Sequence, residues 1–193
     1  MEGKNFELEL PAGYENVLTI DATNKKLALR LNLLGLIPLI ACLLLAWHVV
    51  PKDFDESFGS KALIYLGAML LYIVLHELVH GIAYRALTHR KLTFGMKLTC
   101  AYCGVPDIYC YRRTALISLL APFTVFTIVF AALAALLGDA MLRACAVMLL
   151  GMHLGGCSGD LYDTWLYLTR FRDPMTLMRD TGPVQTFYVK AAE

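Results

Sequence analysis

The sequence predicts an all-α membrane protein of four transmembrane helices with a short cytosolic β-hairpin between the second and third. Three observations lead there. Hydrophobic residues make up 58% of the 193 positions, charged residues only 17%, and mean hydropathy is +0.58. Apolar runs of about 20 residues, the length a bilayer requires, recur four times. Between the second and third runs, polar and apolar residues alternate with a period of two, the pattern of a half-buried strand.

The first span is read from Leu31 to Val50 and the second from Ala62 to Tyr84. The third runs from Ala115 to Leu137, with Pro122 near its start, and the fourth, least uniform, from about Ala140 to Leu168. Residues 1–30 are polar and acidic, unlike a cleavable signal peptide, so the first span reads as a permanent anchor. They form a short N-terminal segment, residues 31–168 the membrane domain, and residues 169–193 a tail.

Basic residues give the orientation. Lys4, Lys25, Lys26 and Arg30 precede the first span. Arg85, Arg90, Lys91, Lys97, Arg112 and Arg113 lie between the second and third, and Arg170, Arg172, Arg179 and Lys190 follow the fourth. The two remaining connections hold only Lys52, Lys61 and Arg143. The excess of Lys and Arg on cytosolic loops therefore puts both termini and the middle connection in the cytosol of a multi-pass cell-membrane protein. A formal net charge of +1 gives no field for nucleic acid. The expected partners are the lipid bilayer and a membrane protein or peptide substrate; the oligomeric state is not legible.

From Lys91 to Tyr102 the even positions, Leu92, Phe94, Met96, Leu98, Cys100 and Tyr102, are apolar or aromatic. This predicts one strand, with Gly104-Val105-Pro106-Asp107 as the turn and Ile108 to Tyr111 as the return, a hairpin over about residues 91–111. Such a hairpin either offers an edge to an extended peptide or covers the end of the bundle, and alternation alone fits both. Phe6 to Leu10 also alternate and can pair with it. Cys100, Cys103 and Cys110 fall in this connection without a second CxxC to complete a zinc tetrad, and read as structural thiols.

The second span carries His76-Glu77-Leu78-Val79-His80. Residues four apart share a helix face, so both imidazoles can grip one Zn²⁺, while Glu77 stands near enough to take a proton from a zinc-activated water. A carboxylate in hydrocarbon costs on the order of 3 kcal/mol even on lenient insertion scales, so Glu77 needs a partner or a wet cavity.

A catalytic zinc takes three protein ligands, and the third is expected from Gly155-Gly156-Cys157-Ser158-Gly159-Asp160. Counting back from the cytosolic arginines at 1.5 Å per residue puts His76 and His80 about 7–14 Å deep and Asp160 about 15 Å deep. Two neutral imidazoles, Asp160, Glu77 and Zn²⁺ sum to zero charge, which a low-dielectric site tolerates best. Asp163 is the rival ligand, nearer the cytosolic end. His153, seven residues before Asp160, shares its face if the helix is regular; it reads either as support for a ligand or transition state, or as a hydrogen-bonded interior residue. His48 and His89 lie outside this depth.

HELVH on one span and a Gly-Asp element on a later one resemble the site-2 protease class of intramembrane zinc metalloproteases. More closely, HELVHGIAYR, the aromatic hairpin and the Ser-Gly-Asp element resemble a family of small bacterial integral membrane proteins described as zincin peptidases. The resemblance covers about residues 60–170. It implies His76 and His80 as ligands, Glu77 as the base, Asp160 as the third ligand, and one Zn²⁺ as the cofactor. Site-2 proteases usually carry an Asn-Pro element before a Leu-Asp-Gly; this chain has His153 and no Pro there, and Leu161 follows Asp160. The expected activity is hydrolysis of peptide bonds in membrane-associated substrates. The alternative is a non-catalytic metal-binding, sensing or transport protein using the same residues.

Overall fold

A computed structural model describes residues 4–50, 56–97 and 100–191. Helix α1, Lys25–Val49, begins where the Asn24 side chain accepts from the backbone N–H of Lys26 at 3.0 Å, satisfying a donor that has no partner within the helix. Helices α2, Phe58–Thr88, and α3, Arg112–Leu136, follow. These three helices are long and apolar enough to cross a membrane. Large apolar side chains, including Leu33, Ile37, Leu44, Leu63, Leu71 and Ile128, stand exposed on them, a surface that lipid covers at no cost and water does not.

The fourth expected span is broken. Helix α4 covers Ala140–Gly156 and α5 covers Ser158–Thr169, with a 48° bend between them; counted as one, the pair gives a fourth apolar span. The break falls in Gly155-Gly156-Cys157-Ser158-Gly159, where glycine weakens helix propagation and the Cys157 N–H turns back to the His153 carbonyl at 3.0 Å.

The ends of the chain correct the all-α expectation. Strands β1, Phe6–Glu7, and β2, Tyr14–Asp21, come from the N-terminal segment. Strands β6, Leu177–Asp180, and β7, Val184–Lys190, come from the tail. With β5, Tyr109–Tyr111, they form an antiparallel five-stranded sheet in the order β1-β5-β6-β7-β2. The β1–β5 and β2–β7 pairings join residues over 100 apart, Phe6 to Cys110 and Tyr14 to Lys190, which a local pattern cannot reveal.

The middle connection is also rearranged. The expected single strand folds back on itself: β3, Thr93–Met96, pairs antiparallel with β4, Ala101–Gly104, setting Phe94 opposite Cys103. Leu98 and Thr99, within the expected strand, lie outside the described residues. The expected return strand joins the other sheet as β5, between β1 and β6, because Val105, Ile108 and Cys110 are buried in that sheet's core. Phe6 does pair with this connection, opposite Cys110.

By their internal contacts the residues divide into two units. The sheet unit comprises Met1–Leu29, Glu77–Pro122 and Gly159–Glu193. Its core holds Tyr84, Ile108, Tyr167, Met178 and Phe187, and Phe171 stacks on Phe187 with ring centroids 4.9 Å apart. The helical unit comprises Arg30–His76 and Phe123–Ser158. There α1 and α4 approach so closely that a Cβ at Gly35 would lie 2.5 Å from the Gly155 carbonyl oxygen, and one at Gly155 would collide with the Gly35 carbonyl. Small residues permit such backbone contact between apolar helices. Gly155→Val is therefore expected to destabilise this unit by at least the 1–3 kcal/mol typical of overpacking, about the same order as a core cavity. Gly67→Ala, where an added Cβ meets nothing within 4 Å, should leave it unchanged or slightly firmer. Thermal unfolding in detergent compares the two.

Candidate metal centre

Helix α2 runs without a break through His76 and His80, so the two imidazoles stand one turn apart on one face. Both are buried, at 8% and 7% exposure. Glu77 between them is half-buried. Asp160 lies in the first turn of α5, where the exposed amides of a helix start favour a carboxylate. Its Oδ1 comes within 3.4 Å of His80 Nε2. One ligand atom from each of His76, His80 and Asp160 lies within 4.8 Å of the others.

His80 is held from behind. Its Nδ1 lies 2.8 Å from the Ser118 carbonyl, which can only accept, so Nδ1 donates and, in the neutral ring that binds metal, the lone pair is on Nε2, toward Asp160. The sequence explains why that carbonyl accepts from a side chain. Four residues on, where the amide of a helix would normally bond back to Ser118, stands Pro122, which has no N–H. A proline inside α3 thus leaves an acceptor for a histidine on α2.

These residues fit a zinc ion. Bonds of 2.0–2.2 Å at tetrahedral angles put neighbouring ligand atoms about 3.4 Å apart. The His80–Asp160 separation of 3.4 Å has that value. Two imidazoles and a carboxylate are also a ligand set of catalytic zinc sites, which keep the fourth position open.

Asp163, the rival ligand, is buried, and its Oδ1 lacks a hydrogen-bond partner among the described residues. It is not in the three-residue cluster with His76 and His80. His153 does not share a helix with Asp160, because the chain breaks at Cys157 between them. It is wholly buried on α4 and hydrogen-bonded in the helical unit, with Tyr72 and with the Phe123 carbonyl. A second cluster, His76, His153 and Cys157, lies entirely in that unit.

Cys103 and Cys110, in the connection, are buried and form no disulfide. Burial, reinforced by Asp180 and Glu77, pushes the Cys103 thiol up to about 12, and burial with Asp180 pushes Cys110 higher still.

One turn beyond His80, the buried Tyr84 hydroxyl donates to Asp180 Oδ2 at 2.7 Å. The other oxygen, Oδ1, accepts from Gly182 N at 2.8 Å in the β6–β7 turn, where a φ of +99° suits glycine. A single carboxylate therefore ties the sheet's turn to α2. Burial raises the Asp180 carboxyl from 3.8 to about 6, against the opposing pull of Tyr84 and Gly182. Since the folded state favours the proton, this contribution to stability is complete below about pH 4 and is lost as pH rises through about 6. Raising pH from 5 to 7 should cost about 1 kcal/mol through this group, a dependence that Asp180→Asn removes. Unfolding temperatures of both proteins at the two pH values test this.

Sequence reasoning missed Tyr72, the Ser118 carbonyl and the Tyr84–Asp180 bond. Tyr72 had a signal: it lies four residues before His76, on the same helix face, with a polar tip in an apolar run.

The fold and the HExxH cluster define a multi-helix protein of membrane-spanning composition with a zincin-like motif on an apolar helix. A family model described as "Putative zincin peptidase" matches residues 69–173, more than half the chain, and the protein belongs to that family. No curated protein and no solved structure matches it.

Proposed function

We propose that the protein is an intramembrane zinc peptidase that hydrolyses peptide bonds of membrane-associated substrates. His76, His80 and Asp160 are its ligands and Glu77 its general base. The observation that carries this reading is the 3.4 Å approach of His80 Nε2 to Asp160 Oδ1, on a helix that also bears His76 and Glu77. Membership of a zincin peptidase family supports zinc as the ion and peptide hydrolysis as the chemistry. The basic residues flanking the apolar helices support a membrane orientation with both termini in the cytosol.

Zinc, when bound, supplies a Lewis acid that acidifies water and polarises a carbonyl. Glu77 takes the proton from the attacking water and returns it to the leaving amine, so one carboxylate serves first as base and then as acid. Asp160 offsets charge that two neutral imidazoles cannot. Ser118 fixes the His80 ring so that Nε2 bears the lone pair. Purified wild type and Glu77→Gln, each assayed for zinc content and for cleavage of a panel of transmembrane peptides, test the assignment. Cleavage by both at one rate would refute Glu77 as the base.

A further inference from the structure

The helical unit contains a hydrogen-bonded chain that ends on His76. The Phe123 carbonyl lies 3.2 Å from His153 Nε2, and the Tyr72 hydroxyl lies 2.9 Å from His153 Nδ1 and 3.0 Å from His76 Nδ1. Tyr72 and His153 are buried, with Phe126 and Phe130 packed edge-on against the Tyr72 ring. We infer that Tyr72 and His153 are positioning residues that hold His76 in the tautomer able to bind metal through Nε2. This rests on the metal site proposed above.

The direction of the chain follows from what each atom can do. A carbonyl only accepts, so His153 Nε2 donates to Phe123, and in a neutral imidazole the lone pair is then on Nδ1. The Tyr72 hydroxyl, having one proton, gives it to that lone pair. Its oxygen is left as an acceptor, and His76 Nδ1 donates to it. The lone pair of His76 therefore sits on Nε2, the same nitrogen that the Ser118 carbonyl selects in His80. Second partners of metal-ligating histidines act in this way, fixing ring orientation and tautomer.

The reverse chain would make His76 Nε2 a donor and close it to metal. It needs a lone pair on His153 Nε2, set against the lone pairs of the Phe123 carbonyl 3.2 Å away, and a proton from the Thr127 hydroxyl at 3.1 Å. A metal in the second cluster, through His153 and Cys157, would have to compete with the Tyr72 hydroxyl for His153 Nδ1, from which Cys157 Sγ lies 3.6 Å.

Zinc affinity in detergent, measured by competition with a chromogenic chelator, tests this without an activity assay. Tyr72→Phe, which removes one hydroxyl and keeps the ring, should bind zinc about 10–100-fold more weakly than wild type. His153→Leu should match it, and His153→Asn, which restores an acceptor near the Nδ1 position, should recover part of the loss. Thr127→Val and Cys157→Ser should bind as wild type does.

Wild-type affinity in Tyr72→Phe would overturn the relay while leaving the metal site standing. A gain in zinc affinity in both Tyr72→Phe and Thr127→Val would reverse its direction, since the reversed chain closes His76 Nε2 to metal, and loss of zinc in Cys157→Ser would move the metal to the second cluster. Wild type that binds no zinc would sink the metal site, and the relay with it.

Discussion

Glu77→Gln is expected to retain zinc and to lose peptide hydrolysis by a factor of about 10²–10⁴, the usual contribution of a positioned general base. Gln has nearly the volume and shape of Glu, so α2 should pack as before. It has no basic oxygen to accept a proton, and the leaving amine then receives none. The effect should fall on kcat, since the missing interaction forms only as the proton moves. Equal zinc content with unequal turnover distinguishes this from damage to the site. Equal turnover with equal zinc would leave Glu77 with a structural role on a metal-binding helix.

Asp160→Ala is expected to deplete zinc from the purified protein, by more than the 10–100-fold that loss of an outer hydrogen-bond partner typically brings. It removes the carboxylate whose oxygen lies 3.4 Å from His80 Nε2. The remaining set, Zn²⁺, two neutral imidazoles and Glu77, would carry a net positive charge among apolar helices, where uncompensated charge is costly. Asp163→Asn is the comparison. Asp163 lies three residues on in the same short helix, so general damage to α5 should appear in both variants. Zinc lost in Asp160→Ala but kept in Asp163→Asn would separate ligand from neighbour; the opposite pattern would exchange their roles.

Much of the helical part of this protein was legible because its signals are local. Twenty apolar residues in a row, and histidines four apart in a stretch free of Pro and Gly, constrain the chain through its own backbone geometry. The weak point of the fourth span could be read from Gly155 to Gly159, although the bend itself needed coordinates. The sheet was not legible. Phe6 meets Cys110, and Tyr14 meets Lys190, across separations that no period of two records. The alternation from Lys91 to Tyr102 was read as one strand because it continues through a turn without breaking step. In the hairpin β3–β4 Phe94 stands opposite Cys103 and Gly95 opposite Tyr102, so the apolar even positions of the two arms fall on opposite faces.

By itself, the sequence determined that two imidazoles and a carboxylate share one turn of an apolar helix, since helical periodicity leaves them nowhere else to go. Tertiary structure alone decided what stands around them. It set Asp160 beside His80, turned the carbonyl that Pro122 leaves without an amide toward the His80 ring, and put a tyrosine hydroxyl between His76 and His153. Hydrogen bonds between helices depend on directions and distances in space, and those are fixed by packing of the whole chain.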